Sequence, residues 1–354
     1  MKIEAIEVEG YERVIRAADS ETGLVGFVAI HSTRLGPACG GLRMLPYESE
    51  DEALRDVLLL AKAMTYKSAV ARTGLGGGKS VIMGDPKTAK SPLLLAAMGR
   101  AIDSLGGRYI TAEDMNVGIA DLEVVRRVTK WVAGLSRESG SSGNPSPVTA
   151  RGVHAGLRAC AREAFGAPSL KGRRVAIQGV GAVGGDVARL CIRDGAEVFA
   201  GDIDREKLDR LAKLGVEPLP NHDAPLTHEC DILSPCARGG VLNDETIPKL
   251  RCKIVAGAAN NQLSAPQSAD RLLERGILYA PDYVINAGGI INIGVELAPG
   301  GYNEAEALRR TDAIGETLAD VFRIAREEGV STATAADRLA ERRLEAGRPA
   351  NARA

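Results

Sequence analysis

Lys67 and Lys79 bracket the stretch of this chain best suited to chemistry, M-T-Y-K-S-A-V-A-R-T-G-L-G-G-G-K-S over residues 64–80. Lys67 ends an amphipathic pattern that begins near Ser49. Ser49 and Glu52 have capping-box spacing, and Leu54, Val57, Leu58, Ala61 and Met64 recur at helical intervals. The spacing predicts a helix to Lys67, a glycine-rich bend at Gly76, Gly77 and Gly78, and a strand over Ser80–Met83. Gly78-Lys79-Ser80 matches the end of a phosphate-binding loop. Thr73, however, stands where the leading glycine is required, and apolar strand follows in place of a helix. Two lysines serving one pocket fit better, one fixing an anion and the other exchanging protons. Burial and a neighbouring cation both disfavour the ammonium form, so such a lysine can act as a base near neutral pH. An acidic partner is at hand in Arg108–Asp114, a strand pattern ending in Glu113 and Asp114. A carboxylate at a strand end is also an ordinary helix cap, and at this point both readings stand.

A second site is written in Arg174–Asp202. The strand pattern Arg174–Gln178 runs into Gly179-Val180-Gly181-Ala182-Val183-Gly184, then a helix to about Asp194 and a strand ending at Asp202. This is G-x-G-x-x-G between strand and helix, with an acid about 20 residues on, the dinucleotide fingerprint. Gly179 permits the turn, Gly181 lets a pyrophosphate approach the helix N-terminus, and Gly184 brings helix against strand. Asp202 accepts from ribose hydroxyls and repels a 2′-phosphate, which selects NAD over NADP.

Positioning these groups takes about two domains, a number that 354 residues allow. Apolar residues make up 45% and aromatics only 3%, which suits an α/β protein with helices on parallel strands. Short strands run to about Arg43, with Leu24–Ile30 the most β-like, followed by a loop at Gly36–Gly41 where Gly40 and Gly41 admit a ligand or make a turn. Ser91-Pro92 starts a helix to about Leu105. Ser139–Pro147 is a Gly/Ser/Pro hinge, and a helix from Pro147 to Phe165 opens the second domain. Strands at 231–233, 254–259 and 277–280 then alternate with helices. Asn260, Asn261 and Asn286 lie at strand ends, and charged helices follow at 303–328 and 335–345.

Lys plus Arg number 45 against 46 Asp plus Glu, so no basic field invites nucleic acid or acidic lipid. A small molecule is the expected partner. No apolar run approaches membrane-spanning length, no signal peptide is visible, and the expected location is cytoplasmic. Six scattered cysteines without a C-x-x-C, and four histidines away from them, suggest neither metal site nor disulfides.

The segments M-T-Y-K, L-G-G-G-K-S, R-Y-I-T-A-E-D, S-S-G-N-P-S-P-V-T-A, G-A-A-N-N-Q-L and A-P-D-Y-V-I-N-A-G-G, in that order through nearly the whole chain, resemble the motifs of the glutamate, leucine, phenylalanine and valine dehydrogenase family. The chain is most similar to its leucine dehydrogenases. The resemblance implies an α/β fold with an N-terminal substrate-binding and oligomerisation domain (1–138), a C-terminal Rossmann-type domain (145–330), a cleft between them that the hinge closes, and a C-terminal helix (331–354) packing back on the first domain. It implies reversible NAD-dependent oxidative deamination of an L-amino acid to a 2-oxo acid and ammonia, by a homo-oligomer.

Residue by residue, the resemblance makes Lys67 the holder of the substrate carboxylate, Lys79 the catalytic base and Asp114 the proton carrier on nitrogen. Gly40 and Gly41 lie against the substrate, and Thr149 and Asn261 lie near the carboxamide of the nicotinamide. Cys39, Ala112, Ile290 and Ile293 line the side-chain pocket. Glutamate dehydrogenases carry a lysine where this chain has Cys39. A buried glutamate side chain would therefore be unpaired here at a cost of several kcal/mol, and branched aliphatic substrates fit better. Cys39 in place of leucine and Leu45 in place of an aromatic widen the pocket toward phenylalanine or methionine, and a phenylalanine- or tryptophan-type enzyme is the rival within the family. A silent nucleotide-binding protein on the same fold is the alternative of another class.

Overall fold

The computed structural model describes residues 1–347. Its contacts divide it into two compact units, Met1–Asn144 with Ile293–Asn303 and 340–347, and Pro145–Asn292 with Glu304–Leu339. Two segments thus depart from a linear division at 138/145 and 330, because 293–303 clusters with the first unit and 331–339 with the second.

The first unit comprises strands β1 (Lys2–Ile6), β2 (Arg13–Asp19), β3 (Leu24–Ser32) and β4 (Ala38–Leu45), helix α1 (Glu50–Val70), β5 (Gly76–Met83), α2 (Pro92–Asp103), β6 (Tyr109–Glu113) and α3 (Ile119–Arg126). They form one six-stranded sheet in the order β1-β2-β3-β5-β4-β6. β3 pairs antiparallel with β2 and β5, whereas β4 runs parallel to both β5 and β6. Alternation along each strand sorts the side chains onto two faces. Val81, Phe27 and Ala29 pack on Ala53, Val57 and Ala61 of α1. Leu42, Ile82 and Tyr109 point the other way, into a core with Leu94, Met98 and Leu122 of α2 and α3. Ser49 caps α1 by accepting from the Glu52 amide, and Ser91 caps α2 through the Leu94 amide, each worth about 1 kcal/mol.

Two glycine segments differ from the sequence expectation. The chain reverses at Ala71–Leu75, where Arg72 (φ 51°) and Gly74 (φ 75°) are left-handed. Gly76, Gly77 and Gly78 are already in β5, and the expected loop at Gly36–Gly41 is β4 from Ala38 onward. Close packing explains both. A β-carbon at residue 77 would stand 2.0 Å from the Thr65 amide nitrogen of α1, so only a glycine lets α1 lie this close.

The second unit is built from α4 (Ser146–Phe165), β7 (Arg174–Gln178), α5 (Ala182–Arg193), β8 (Glu197–Gly201), α6 (Arg205–Ala212), β9 (Val216–Pro218), β10 (Ile232–Pro235), β11 (Ile254–Val255), α7 (Gln267–Glu274), β12 (Leu278–Tyr279), α8 (Asp282–Ile285), α9 (Gly288–Glu296), α10 (Glu304–Asp312), α11 (Ile314–Glu328) and α12 (Thr332–Ala346), the last part of α9 and of α12 clustering with the first unit. The sheet order is β12-β11-β10-β7-β8-β9, and every pair is parallel. This is the doubly wound Rossmann order, with its switch point between β7 and β10. The strand expected at 254–259 shortens to β11, and the helix expected over 303–328 is broken at Ala313. The end of α12 lies on α1, where Tyr66 Oη donates to Glu341 at 3.0 Å and Arg343 donates to the Val70 carbonyl. Residues 348–354 of the expected terminal helix lie outside the described residues. Among the described residues no helix is long and apolar enough to cross a membrane.

Candidate active site

Three neighbouring parallel strands place the chemistry of the first unit on one face. Cys39, Gly41 and Arg43 alternate along β4, Gly77, Lys79 and Val81 along β5, and Ile110 and Ala112 along β6, with Asp114 one step past its end. The register pairs Cys39 with Gly77 and Ile110, and Gly41 with Ala112, so these residues share the face on which α1 packs. Gly40 points the other way, and its carbonyl accepts from Tyr109 Oη at 2.7 Å. Lys67 is half-buried in the last turn of α1.

Lys79 is only 4% exposed, and its Nζ donates to Asp114 Oδ2. The other carboxylate oxygen accepts from Arg43 Nε at 3.2 Å and from the Met115 amide at 2.5 Å. Burial drives the Lys79 pKa below lysine's ordinary value against the pull of Asp114, and the Arg43 cation lowers it further. For Asp114 burial pulls upward, but Lys79 and Arg43 together outweigh it and hold the carboxyl below its usual range. A lysine that readily gives up its proton therefore faces a carboxylate that stays anionic, an arrangement suited to moving protons on a substrate nitrogen and a water.

Cys39 is fully buried, and its thiol is pushed up to about 12 by burial and then by Glu296, so it is neutral. Glu296 comes from far along the sequence, at the end of α9. Its carboxylate accepts from the amides of Gly134 (3.1 Å) and Ser142 (2.8 Å) and from Ser141 Oγ (2.5 Å). Sequence reasoning assigned no role to Arg43 or Glu296. Arg43 was marked by its strand parity with Cys39 and Gly41, whereas nothing local marked Glu296.

In the second unit Gly179 follows β7 with φ 89°, a conformation that glycine adopts without strain. Gly181 is the N-cap of α5, has no side-chain cap, and a β-carbon there would meet nothing within 4 Å. Val180, Ala182 and Val183 complete the turn into the first residues of α5, and a β-carbon on Gly184 would lie 2.1 Å from the Gly179 carbonyl oxygen. Asp202, just past β8, accepts from the Val180 amide at 2.6 Å and the Asp204 amide at 2.8 Å. A helix start without a side-chain cap, open space beside Gly181 and a carboxylate fixed against the loop fit a dinucleotide's pyrophosphate and ribose. Thr149, in the first turn of α4, lies against the start of α9, its Cα 2.7 Å from where a β-carbon of residue 288 would stand. Asn261 is exposed with φ 51°, and its carbonyl accepts from Gly240 at 2.8 Å. Ile290 and Ile293 stand one turn apart on α9.

A fingerprint loop on a doubly wound parallel sheet places the second unit among the dinucleotide-binding folds, and the first unit carries a buried lysine–carboxylate pair. The family model "Glu/Leu/Phe/Val dehydrogenase, dimerisation domain" matches residues 11–131, and "Glutamate/Leucine/Phenylalanine/Valine dehydrogenase" matches 202–347. The chain is 48% identical to leucine dehydrogenase of Geobacillus stearothermophilus over 98% of this chain and 94% of the relative. It is 45% identical to valine dehydrogenase of Streptomyces virginiae over 95% and 94%. The crystal structure of L-tryptophan dehydrogenase from Nostoc punctiforme superposes with a TM-score of 0.84 at 41% identity, covering 95% of this chain and 96% of that one. The chain belongs to the Glu/Leu/Phe/Val dehydrogenase family of NAD-dependent amino-acid dehydrogenases, with an N-terminal dimerisation and substrate domain and a C-terminal Rossmann-like domain.

Proposed function

We propose that this protein oxidatively deaminates a branched aliphatic L-amino acid, giving the 2-oxo acid, ammonia and NADH, reversibly and as a homo-oligomer. The observation that carries the reading is the buried Lys79–Asp114 pair on the same sheet face as the neutral Cys39 and the small Ala112. Lys67 binds the substrate carboxylate, and Gly41, which shares the sheet face of Lys79, lets the substrate lie close to β4. Asp114, anionic, takes a proton from the substrate ammonium, freeing the nitrogen lone pair. NAD, when bound, supplies the acceptor for the hydride leaving Cα. Neutral Lys79 then takes a proton from water as its oxygen attacks the iminium carbon, Asp114 returns its proton to the nitrogen, and the carbinolamine hydroxyl gives its proton back to the Asp114 carboxylate as the C–N bond breaks, leaving the 2-oxo acid and ammonia. Gly179–Gly184 and Asp202 hold the pyrophosphate and ribose, with Thr149 and Asn261 toward the carboxamide.

Cys39, Ala112, Ile290 and Ile293 receive the substrate side chain. No cation among them would pair a glutamate carboxylate, whereas aliphatic branches gain about 1–3 kcal/mol per methylene of fit. A second reading, aromatic specificity, is favoured by the small Cys39 and by the likeness to an L-tryptophan dehydrogenase. NADH formation across a panel of L-amino acids, with NAD and NADP, decides. The expected result is a higher kcat/KM for leucine, valine and isoleucine than for phenylalanine or tryptophan. A tenfold preference for an aromatic overturns the pocket assignment, and silence with every amino acid overturns the enzyme assignment. Lys67→Ala is expected mainly to raise KM, and Lys79→Ala to abolish turnover while NAD still binds.

A further inference from the structure

Arg43 lies between two carboxylates on the α1 face of the sheet. Its Nε donates to Asp114 Oδ1 at 3.2 Å, and Nη1 donates to Asp56 Oδ2 at 3.2 Å. Tyr47 Oη donates to the same Asp56 oxygen at 2.6 Å. The side chains of Arg43, Asp114 and Asp56 are 17%, 18% and 28% exposed, so the chain of contacts is largely shielded from water and its charges act at short range. The backbone leaves room for it, because a β-carbon at residue 41 would stand 2.6 Å from that of Asp114. Register adds the rest. Arg43 pairs with Val81 across β4 and β5, two residues past Lys79, so the guanidinium and the ammonium reach Asp114 from adjacent strands and take different oxygens.

We propose that Arg43 is a positioning residue for the proton-transfer pair: anchored by Asp56, which Tyr47 fixes in turn, it holds the Asp114 carboxylate with one oxygen turned to Lys79. The inference rests on the functional reading above and deepens it. The groups held against Asp114 are Lys79 from β5, Arg43 from β4 and the Met115 amide; Tyr47, from the connection before α1, and the neighbouring Glu113 feel its charge, and Asp56 from α1 acts through Arg43 and on Lys79. Lys79 and Arg43 are the two cations that hydrogen-bond its carboxylate among the described contacts.

Arg43 and Asp56 thus act on the pair with opposite sign, and two near-isosteric variants separate charge from packing. Removing the Arg43 cation makes Asp114 easier to protonate and lets Lys79 keep its proton to higher pH. In Arg43→Gln the acid limb of the kcat/KM profile is expected to move up by about one pH unit, within the range an ion pair supplies. Asp56→Asn keeps an acceptor for Arg43 but removes a negative charge, and should move the same limb down. Arg43→Lys retains the charge without the fork, so it should keep the limb near its wild-type position while kcat falls several-fold. A carboxyl ¹³C titration of aspartate-labelled protein, with the Asp114 signal identified by its absence from Asp114→Asn, reads the same shifts without turnover. An unmoved Asp114 midpoint in Arg43→Gln, or shifts of the same sign in Arg43→Gln and Asp56→Asn, overturns the proposal. Should Arg43→Gln not fold, the direction of the Asp56→Asn shift decides alone. A wild type silent with every amino acid would end the functional reading and leave the titration standing as the test of Arg43.

Discussion

Thr65 and Gly77 touch backbone to backbone, α1 resting on β5 so closely that a methyl group at residue 77 would fall 2.0 Å from the Thr65 nitrogen. No rotamer change relieves a clash with main chain, so Gly77→Ala must push α1 away from the strand carrying Lys79. The expected cost is about 3 kcal/mol or more, measured by denaturant unfolding. Gly181→Ala is the matched control, since a β-carbon there meets nothing within 4 Å. It should leave Tm nearly unchanged yet weaken NAD binding at least tenfold in calorimetry, because the new methyl occupies the space assigned to pyrophosphate.

The depressed Lys79 pKa predicts pH dependence of definite sign. In the proposed reaction neutral lysine is the working form, so kcat for oxidative deamination should climb with pH through a midpoint below lysine's ordinary 10.5. Stability follows the same residue. Between its folded value and 10.5 the unfolded chain binds more protons, so unfolding free energy rises with pH in that window. Lys79→Met should flatten that part of the stability profile relative to wild type, which urea titrations at several pH values will read.

Asp202 has a double duty that a cofactor swap must respect. Its carboxylate accepts from the Val180 amide in the fingerprint loop at 2.6 Å and is the group assigned to exclude a 2′-phosphate. Asp202→Ser should lower kcat/KM for NAD at least tenfold and narrow the gap to NADP. Full reversal is not expected, because the loop also loses a charged acceptor. Steady-state kinetics with both cofactors checks this.

Glu296 fastens the segment from Gly134 to Ser142 with three donors on one carboxylate. Hydrogen bonds to a charged group are worth about 1.5–3 kcal/mol each in mutational series and are not additive. Glu296→Ala should therefore destabilise the protein by about 2–4 kcal/mol and raise amide exchange at 134–142, read by hydrogen-exchange mass spectrometry.

Much of this was legible in the sequence, and the misses have a common cause. The nucleotide fold was readable because its signal is local: strand, glycines, helix and Asp202 follow one another within 29 residues, from Arg174 to Asp202. Lys79 and Asp114 could be singled out because each ends a recognisable pattern. Gly76–Gly78 misled because glycine disfavours strands by itself, while the reasons for these glycines, the Ser32 carbonyl against Gly76, Thr65 of α1 against Gly77 and Tyr109 of β6 against Gly78, are tertiary. Arg43 could have been paired with Asp114 by counting alternate residues from Cys39. Glu296 could not, because 154 residues separate it from Ser142 and no periodicity links them.

The first unit closes only when Ile293–Asn303 and the end of α12 join Met1–Asn144. A gene fragment stopping at residue 144 would encode Lys67, Lys79 and Asp114 yet omit three later pieces: the acid that secures 134–142, the Glu341 carboxylate bound to Tyr66 and the arginine on the last carbonyl of α1. Dissecting this protein into separately expressed halves, or fusing a foreign nucleotide module after its first 144 residues, therefore calls for grafted return segments rather than a single cut.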